Sequence, residues 1–486
     1  MSALPQQILP PPLSCRSPAN DGLGSHQAIY RRLLDQDMDV AVNAGSREWL
    51  DARLAEARQL PCSLPEKPAE LLQWMLQGSA EANAAYQQYL SDRKSGAPRR
   101  FFRNRSHALA FLRGVAPTKL VDGSWLHGVL RHWSNPRYAD LVRTYVEELG
   151  DGRADRNHVL LYRKLLASHG IDSAPSDLPD DRYTQGAIQL ALARHTDDLL
   201  PEVIGFNLGY EQLPLHLPIT AYELNELGLD PYYFTLHVTV DNADTGHAHR
   251  AVAAVADAMP RFGDASAFWR RVQDGFRLND LGAGTNDVIN EFDQQQEVER
   301  IFIRKSEAGR SAHADYCKVA GRSVNDWLAE PAQVPGFLRA LEDAGWIVRN
   351  AAPEQSRFWK LLEGDHAEMF GVFSPYELQV IQDWLRGDAS RDGAAVPDAT
   401  TGGGLQRPRS FRAQQRLAAA RMPAAATSSV AEGALDTDVE ALEAQLAQAP
   451  NIGALGDLLV HAMAPSRHWM PAGLLATRRF VQLSLG

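Results

Sequence analysis

Apolar residues recur at three- and four-residue spacing along most of the chain, and this pattern predicts amphipathic helices. The clearest helical segments are residues 46–60, 68–92, 135–149, 183–215, 248–259, 323–328 and 334–346. Strand-like alternation is rare, and its two best candidates are the short runs 345–350 and 369–374. The pattern therefore predicts an all-α protein.

The distribution of small and polar residues predicts how the chain is divided. Residues 388–433 are rich in Ala, Gly, Ser, Thr and Pro, a composition typical of linkers, and the N-terminus is Pro-rich. The predicted order is a disordered leader (1–25), an N-terminal helical extension (26–99), a helical bundle (100–275), an accessory helical region (276–387), a linker (388–433) and a C-terminal helical segment (434–486).

Composition and charge narrow the class of protein. The 486 residues carry a formal net charge of -11, which disfavours a general binder of nucleic acid or anionic membranes. The three cysteines, Cys15, Cys62 and Cys317, form no CxxC pair, which indicates a reducing compartment and argues against a zinc-thiolate site. No apolar run reaches the roughly 18 residues of a membrane span, and no signal peptide is evident. We expect a soluble cytoplasmic protein.

One short stretch, HVTVDNADTGH, gathers several side chains that can bind metal. His237, Asp241, Asp244 and His247 are spaced i, i+4, i+7 and i+10. If residues 234–251 form one helix, these four lie on a stripe about 120° wide, at ~100° per residue. The alternative is a solvated, salt-bridged helix face, and the stretch alone does not decide between the two.

A second group of candidate residues flanks a tight turn. In EELGDGRADRNHVLL, one helix is predicted to end at Gly150 and the next to begin near Asn157, so Glu148 and His158 can point to one place. Glu147 is an alternative to Glu148, because helix boundaries predicted from sequence are uncertain by a few residues. The alternative interpretation is an ordinary helix end followed by a polar residue at a helix start.

A third candidate, Glu211, stands in the largely apolar segment 200–215. A buried carboxylate without a partner is costly, so this one should be paired, exposed or bound to a metal. The three segments together supply carboxylates and imidazoles but no thiolates, a donor set that suits Fe, Mn or Zn. Carboxylates that project inward from several helices are typical of two-metal sites in helical bundles.

These three motifs, in this order, resemble the haem-oxygenase-like di-iron oxidases and oxygenases, also described as iron-containing redox enzymes. The resemblance covers about residues 100–260, the predicted bundle. Glu148 and His158 match the family's first Glu and His, Glu211 matches its middle carboxylate, and His237 and Asp241 match the start of its last motif, His-x-x-x-Asp-x-x-His.

The last position of that final motif departs from the family pattern. Asp244 stands where the family has a histidine, and the next histidine is His247. Either Asp244 replaces the imidazole as a ligand, or a local bulge near Gly246 brings His247 into place. The sequence leaves both choices open.

The resemblance implies a haem-oxygenase-like bundle that binds two Fe(II) ions in place of haem and uses O2 as co-substrate. It implies an oxidoreductase of natural-product metabolism that oxidises a small amine, an amino acid or a fatty acid, by N-oxygenation or oxidative C–C cleavage. The alternatives are a cofactor-independent or mononuclear-metal enzyme on the same fold and a non-catalytic helical binding protein. The oligomeric state stays open, with a homodimer as one option.

Overall fold

The computed structural model describes residues 24–35, 40–173, 175–240, 246–314, 316–364, 367–387 and 436–485. Residues 1–23 of the predicted leader, the whole predicted linker, Asp241 and Asp244 lie outside the described residues. Within these ranges, no helix has the length and apolar character that crossing a membrane requires.

Helices account for nearly all the regular structure of the described residues, which confirms the all-α prediction. The first helices are α1 (His26–Asp35), α2 (Val40–Ala57), α3 (Leu71–Lys94), α4 (Arg105–Gly114), α5 (Ala116–Lys119), α6 (Ala139–Glu148) and α7 (His158–Ser168). The middle ones are α8 (Thr184–Arg194), α9 (Thr196–Tyr210), α10 (His216–Glu226), α11 (Tyr232–Val240), α12 (His247–Ala258) and α13 (Ala265–Arg277). Short 3-10 turns lie between them at Pro68–Glu70, Ser124–His132, Pro136–Tyr138, Gly150–Gly152, Asp180–Tyr183 and Leu278–Asp280.

The remaining elements follow the predicted bundle. They are α14 (Thr285–Asn290), α15 (Gln294–Gly309), α16 (Val324–Leu328), α17 (Val334–Asp343), α18 (Arg357–Leu362), α19 (Pro375–Arg386), α20 (Thr437–Ala447), α21 (Ile452–Ala462) and α22 (Pro471–Leu485), with 3-10 turns at Pro331–Gln333 and Pro353–Gln355. Two two-residue strands, β1 (Lys318–Val319) and β2 (Arg322–Ser323), pair antiparallel with Lys318 opposite Ser323.

The two strands suggested by alternation are wrong. Residues 345–350 and the described residues of 369–374 form turns and bends. The chain turns at Gly345 and Gly371, whose positive φ values of 70° and 79° lie in the left-handed region that glycine adopts without strain. Alternation of apolar and polar residues over six positions is too short a pattern to form a strand where the backbone turns at a glycine.

Two buried hydrophobic clusters form the core. The first joins α1, α2, α6, α8, α9, α12 and α13 around Trp125 and Phe206, and the C-terminal helices add Phe480 to it. The second joins α4, α7, α10, α11, α15 and α19 around Phe111 and Trp384. Residues of the predicted bundle and of the predicted accessory region thus share the second cluster, and the predicted domain boundaries stay a prediction.

Close packing of α9 against α13 fixes the helix that leads to Glu211. A Cβ atom on Gly205 of α9 would lie 1.9 Å from the carbonyl oxygen of Val272, and one on Gly275 of α13 would lie 2.0 Å from that of Glu202. Glycine at both positions therefore lets the two backbones touch. A side chain at either position would push the helices apart and displace the end of α9.

Residues 234–251 do not form the single helix that the ligand stripe required. Helix α11 ends at Val240, and α12 begins only at His247, after Gly246 in an extended conformation (φ -83°, ψ -166°). His237 and His247 consequently lie on two helices instead of one stripe.

Candidate metal centre

Asp122 is a buried carboxylate in the turn that follows α5, and it belongs to none of the three sequence motifs. Gly123, with φ 78°, turns the chain into the 3-10 segment Ser124–His132. The Asp122 carboxylate accepts hydrogen bonds from the hydroxyl groups of Tyr210, at 3.0 Å, and Tyr233, at 2.5 Å. The one local signal for it was an acidic residue within the otherwise apolar run LVDGSWL.

Glu148 and His158 meet across the turn between α6 and α7, in the arrangement predicted for this segment. Glu148 is the last residue of α6 and His158 the first of α7. The Asn157 side chain caps α7 by accepting from the backbone N–H of Leu160 at 2.9 Å. This cap places the His158 Nδ1 atom 2.5 Å from Oε2 of Glu148, and both side chains are almost completely buried.

His237 approaches the same place from α11. Its Nδ1–H donates to the backbone carbonyl of Tyr233 at 2.8 Å, so in the neutral ring Nε2 carries the lone pair. That Nε2 atom faces Oδ2 of Asp122 at 3.1 Å. A lone pair that faces a carboxylate oxygen is favourable only if a proton or another cation lies between them. The orientation is the usual one for a histidine whose second nitrogen is held by a backbone acceptor and whose first binds a metal.

Glu211 and His247 form a second contact on the other side of Glu148. Glu211 directly follows α9, and His247 is the first residue of α12. The Nδ1 atom of His247 lies 3.0 Å from Oε2 of Glu211 and 3.3 Å from Oε1 of Glu148. Glu148 therefore stands between His158 and His247, with one oxygen toward each.

Glu147, the sequence alternative to Glu148, lies behind His247. Its Oε2 atom is 2.9 Å from Nε2 of that ring, and it also pairs with Arg143 and Arg250. Burial alone would raise the pKa of Glu147, but the hydrogen bonds from His247 and Arg250 and the charge of Arg143 lower it to about 2. An ionised Glu147 accepts a hydrogen bond from the Nε2–H group of His247, so that Nδ1 of the same ring faces Glu148 and Glu211.

Two groups of potential ligands share Glu148. In each group, one donor atom from every residue lies within 4.8 Å of the others. The first group consists of Asp122, Glu148, His158 and His237, and the second consists of Glu148, Glu211 and His247. Five of the predicted ligand residues are thus brought together, and Asp122 joins them. Asp241 and Asp244 lie outside the described residues, so their role as ligands stays a prediction.

The electrostatics of this centre keep its carboxylates ionised. Burial would raise the pKa of Asp122, yet Lys119 and His237 lower it to about 2. Burial would likewise raise the pKa of Glu148, but His158 and His247 hold it well below its usual range. Ionised carboxylates buried this deeply require compensating positive charge. Carboxylate and imidazole donors around a shared carboxylate fit a pair of divalent ions such as Fe(II).

A cavity of about 400 Å³ opens beside the second ligand group, between the middle of α3 and the segment that follows α9. Its walls are mostly apolar or small, with Trp74, Gly78, Ala82, Leu213, Pro214 and Ala248 among them. Ala248 directly follows His247, and Leu213 lies two residues after Glu211. The cavity therefore borders the backbone that carries the second group.

Comparison with known proteins agrees with the resemblance predicted from the motifs. Residues 109–279 match the family described as iron-containing redox enzyme, which confirms that resemblance. The matched range contains every member of both ligand groups, whereas α3 and the C-terminal helices lie outside it. No curated protein and no solved structure matches the chain significantly.

Proposed function

We propose that this protein is a non-haem di-iron oxygenase or oxidase that uses O2 to oxidise a small amine, an amino acid or a fatty acid. N-oxygenation and oxidative C–C cleavage are the candidate reactions, and natural-product metabolism is the candidate context. The observation that carries the proposal is the buried carboxylate of Glu148, which is common to two ligand groups. The match to an iron-containing redox family supports iron over Mn or Zn.

The proposal assigns the two ions to the two groups. Asp122, Glu148, His158 and His237 would hold one iron, and Glu148, Glu211 and His247 would hold the other. When bound, the ferrous pair would supply the activation of O2 and the oxidation of a C–H bond or an amine nitrogen. Asp241 and Asp244 remain further candidate ligands for the same pair.

The surrounding residues would orient the ligands and keep water out. The carbonyl of Tyr233 accepts a hydrogen bond from Nδ1–H of His237, and the carboxylate of Glu147 accepts one from Nε2–H of His247. Each ring therefore turns its other nitrogen toward the centre. The hydroxyl groups of Tyr210 and Tyr233 donate to Asp122 and thereby favour its ionised form. The near-complete burial of all the donors limits access of bulk solvent.

An anaerobic Fe(II) titration of the full chain tests the proposal. We expect two irons per chain in the wild type and a lower content in Glu148→Gln, because that substitution removes the shared carboxylate. Glu377→Gln is the matched control, since Glu377 is also buried but belongs to α19 and pairs with Arg304. It should keep two irons.

The stoichiometry also distinguishes the alternatives. One iron in the wild type would favour the mononuclear enzyme, and no iron would favour the cofactor-independent enzyme or the non-catalytic binding protein. Addition of O2 to the iron-loaded protein with candidate amines, amino acids and fatty acids should then consume O2 faster than the metal-free protein does. If the iron-loaded and the metal-free protein consume O2 at equal rates with every one of these compounds, the result would contradict an oxygenase or oxidase.

A further inference from the structure

We propose that the C-terminal segment, residues 436–485, supports the metal centre, and that its His468 is a positioning residue for Glu148 and His158. His468 would act through Asn157, which caps the helix that carries His158. The inference rests on the proposed function, because it concerns the geometry of the same iron ligands. It assigns a role to a part of the chain that lies outside residues 109–279, the range of the family match.

The C-terminal segment contacts α6 and the turn before it with buried polar groups. The hydroxyl of Tyr145, on α6, donates to the backbone carbonyl of Met463 at 2.7 Å. The ring of His127 donates from Nε2 to the carbonyl of Val460 at 3.0 Å. The Met463 carbonyl, directly after α21, therefore contacts the helix that ends in Glu148, and the Val460 carbonyl of α21 contacts the 3-10 segment Ser124–His132.

The turn between the two ligand-bearing helices also touches α22. Gly152 has φ 75°, and a Cβ atom there would lie 2.4 Å from the carbonyl oxygen of Leu474, so only glycine allows this approach. The Gly152 carbonyl accepts from Nη1 of Arg478 at 2.7 Å. The turn is thus in direct contact with the C-terminal segment.

His468 contacts the cap of α7 directly. The Oδ1 atom of Asn157 accepts from the N–H of Leu160, so its Nδ2 amide group faces Nδ1 of His468, at 3.1 Å. An amide nitrogen only donates, so Nδ1 of His468 must accept and the ring proton lies on Nε2. Burial, which lowers the pKa of His468 to about 3, agrees with a neutral ring.

Asn157 links the two ligand-bearing chain segments through one side chain. Its Nδ2 also donates to the carbonyl of Leu149, at 3.3 Å, and Leu149 directly follows Glu148. Asn157 itself directly precedes His158. His468 accepts a hydrogen bond from the same Nδ2 group and so fixes the orientation of the Asn157 side chain. That orientation in turn fixes the position of Glu148 relative to His158. The next residue, Trp469, adds a cation–π contact with Arg163 of α7, whose Cζ lies 3.9 Å from the ring centre.

The experiment compares Fe(II) binding by the wild type, His468→Leu and His468→Asn under anaerobic conditions. Leucine removes the acceptor for Asn157, and we expect Fe(II) affinity to fall by roughly 10- to 100-fold, the usual effect of losing a group that orients a ligand. Asparagine can place its own oxygen near the position of Nδ1, and we expect it to restore most of the affinity. Near-infrared circular dichroism of the Fe(II)-loaded protein should show a changed ligand field in His468→Leu and the wild-type spectrum in His468→Asn.

His107→Leu is the matched control for loss of a buried imidazole. His107 is as buried as His468, but it stacks on Phe292 and donates to the carbonyl of Ile289, a residue of the second hydrophobic cluster. It should lose stability while keeping the wild-type Fe(II) affinity and spectrum. A merely structural role for His468 would make the two leucine variants behave alike.

A second, exposed pair of variants covers the case in which His468→Leu does not fold. Arg478→Gln removes the hydrogen bond to Gly152, and Arg479→Gln changes the neighbouring arginine of the same helix. We expect lower Fe(II) affinity and faster amide hydrogen exchange over residues 149–158 in Arg478→Gln alone. Wild-type Fe(II) affinity and spectrum in His468→Leu would overturn this inference. If His468→Leu does not fold, the same result in Arg478→Gln would overturn it. In either case, two irons in the wild type would still support the proposed function. A wild type without iron would overturn the proposed function instead.

Discussion

Replacing Asp122 with asparagine tests whether this carboxylate, which no sequence motif marked, belongs to the metal centre. The substitution keeps the size of the side chain, but its single oxygen can accept from only one of the Tyr210 and Tyr233 hydroxyl groups, which donate to different oxygens of Asp122. It removes the negative charge that faces Lys119 and His237. We expect two separable losses of stability, one in the metal-free protein and one that depends on iron.

The first loss follows from the pKa of Asp122. The fold lowers this pKa from 3.8 to about 2, so the unfolded chain binds a proton more readily than the folded protein between these pH values. The carboxylate therefore contributes stability above about pH 4, which is lost as the pH falls toward 2. The size of the shift corresponds to about 2 kcal/mol for this fully buried group, and the neutral asparagine should cost about that much at pH 7.

The second loss follows from linkage to iron. At free Fe(II) of about 100 times the dissociation constant, binding stabilises the wild type by ~2.7 kcal/mol. If the variant binds iron about 100-fold more weakly, the same Fe(II) concentration stabilises it by only ~0.4 kcal/mol. The iron-dependent increment should thus fall by about 2 kcal/mol in Asp122→Asn.

Anaerobic urea unfolding with and without Fe(II) measures both quantities for the wild type and the variant. The control is Asp383→Asn, a buried carboxylate of α19 that accepts from the Ser106 backbone, remote from both ligand groups. It should leave the iron-dependent increment unchanged. A full wild-type increment in Asp122→Asn would refute the role of Asp122 as a ligand, whatever the variant cost in the metal-free protein.

Three further predictions concern the second ligand group, the cavity and the pH dependence of the fold. Glu147→Gln should weaken binding of one iron by roughly 10- to 100-fold, because the amide no longer orients His247 as a carboxylate does. A Fe(II) titration in which both sites keep the wild-type affinity would contradict this. If substrate reaches the centre through the cavity beside α3, Ala82→Trp should fill part of that cavity and slow substrate-dependent O2 consumption while iron content stays at the wild-type value. Equal rates of the variant and the wild type in an oxygen electrode would contradict this role of the cavity. Burial lowers the pKa of His107 to about 4, so the unfolded state gains the proton first as the pH falls below 6.5. The wild type should therefore lose about 2 kcal/mol more than His107→Phe between pH 7 and pH 5 in urea unfolding.

The parts of the site that could be predicted from the sequence depend on local signals. Gly150 after an apolar helix, and Asn157 before the next one, mark a helix end and a helix cap within a few residues. Because the turn is so short, Glu148 and His158 could be expected to meet without knowledge of the rest of the fold. The helical periodicity of the chain predicted the all-α class for the same reason, since it needs only neighbouring residues.

The parts that could not be predicted depend on contacts between distant segments. Asp122 reaches the centre only because α9 and α11 bring Tyr210 and Tyr233 to it, and no short motif encodes that contact. His468 lies more than 300 residues along the chain from Asn157. The stripe that joined His237 to His247 failed because periodicity counts positions without detecting the extended conformation at Gly246.

The position of the candidate centre explains why it draws on so many segments. Glu148, Glu211 and His247 come from helices of the first hydrophobic cluster, whereas His158 and His237 come from helices of the second. These carboxylates therefore lie where the two hydrophobic clusters meet, a place where burial of charge is costly unless it is compensated. A pair of divalent cations at this boundary would offset that cost and link the two clusters through shared ligands. By the same reasoning, iron binding should depend on how the clusters pack, so segments that hold α6 and α7 in place would influence the centre without touching a metal ion.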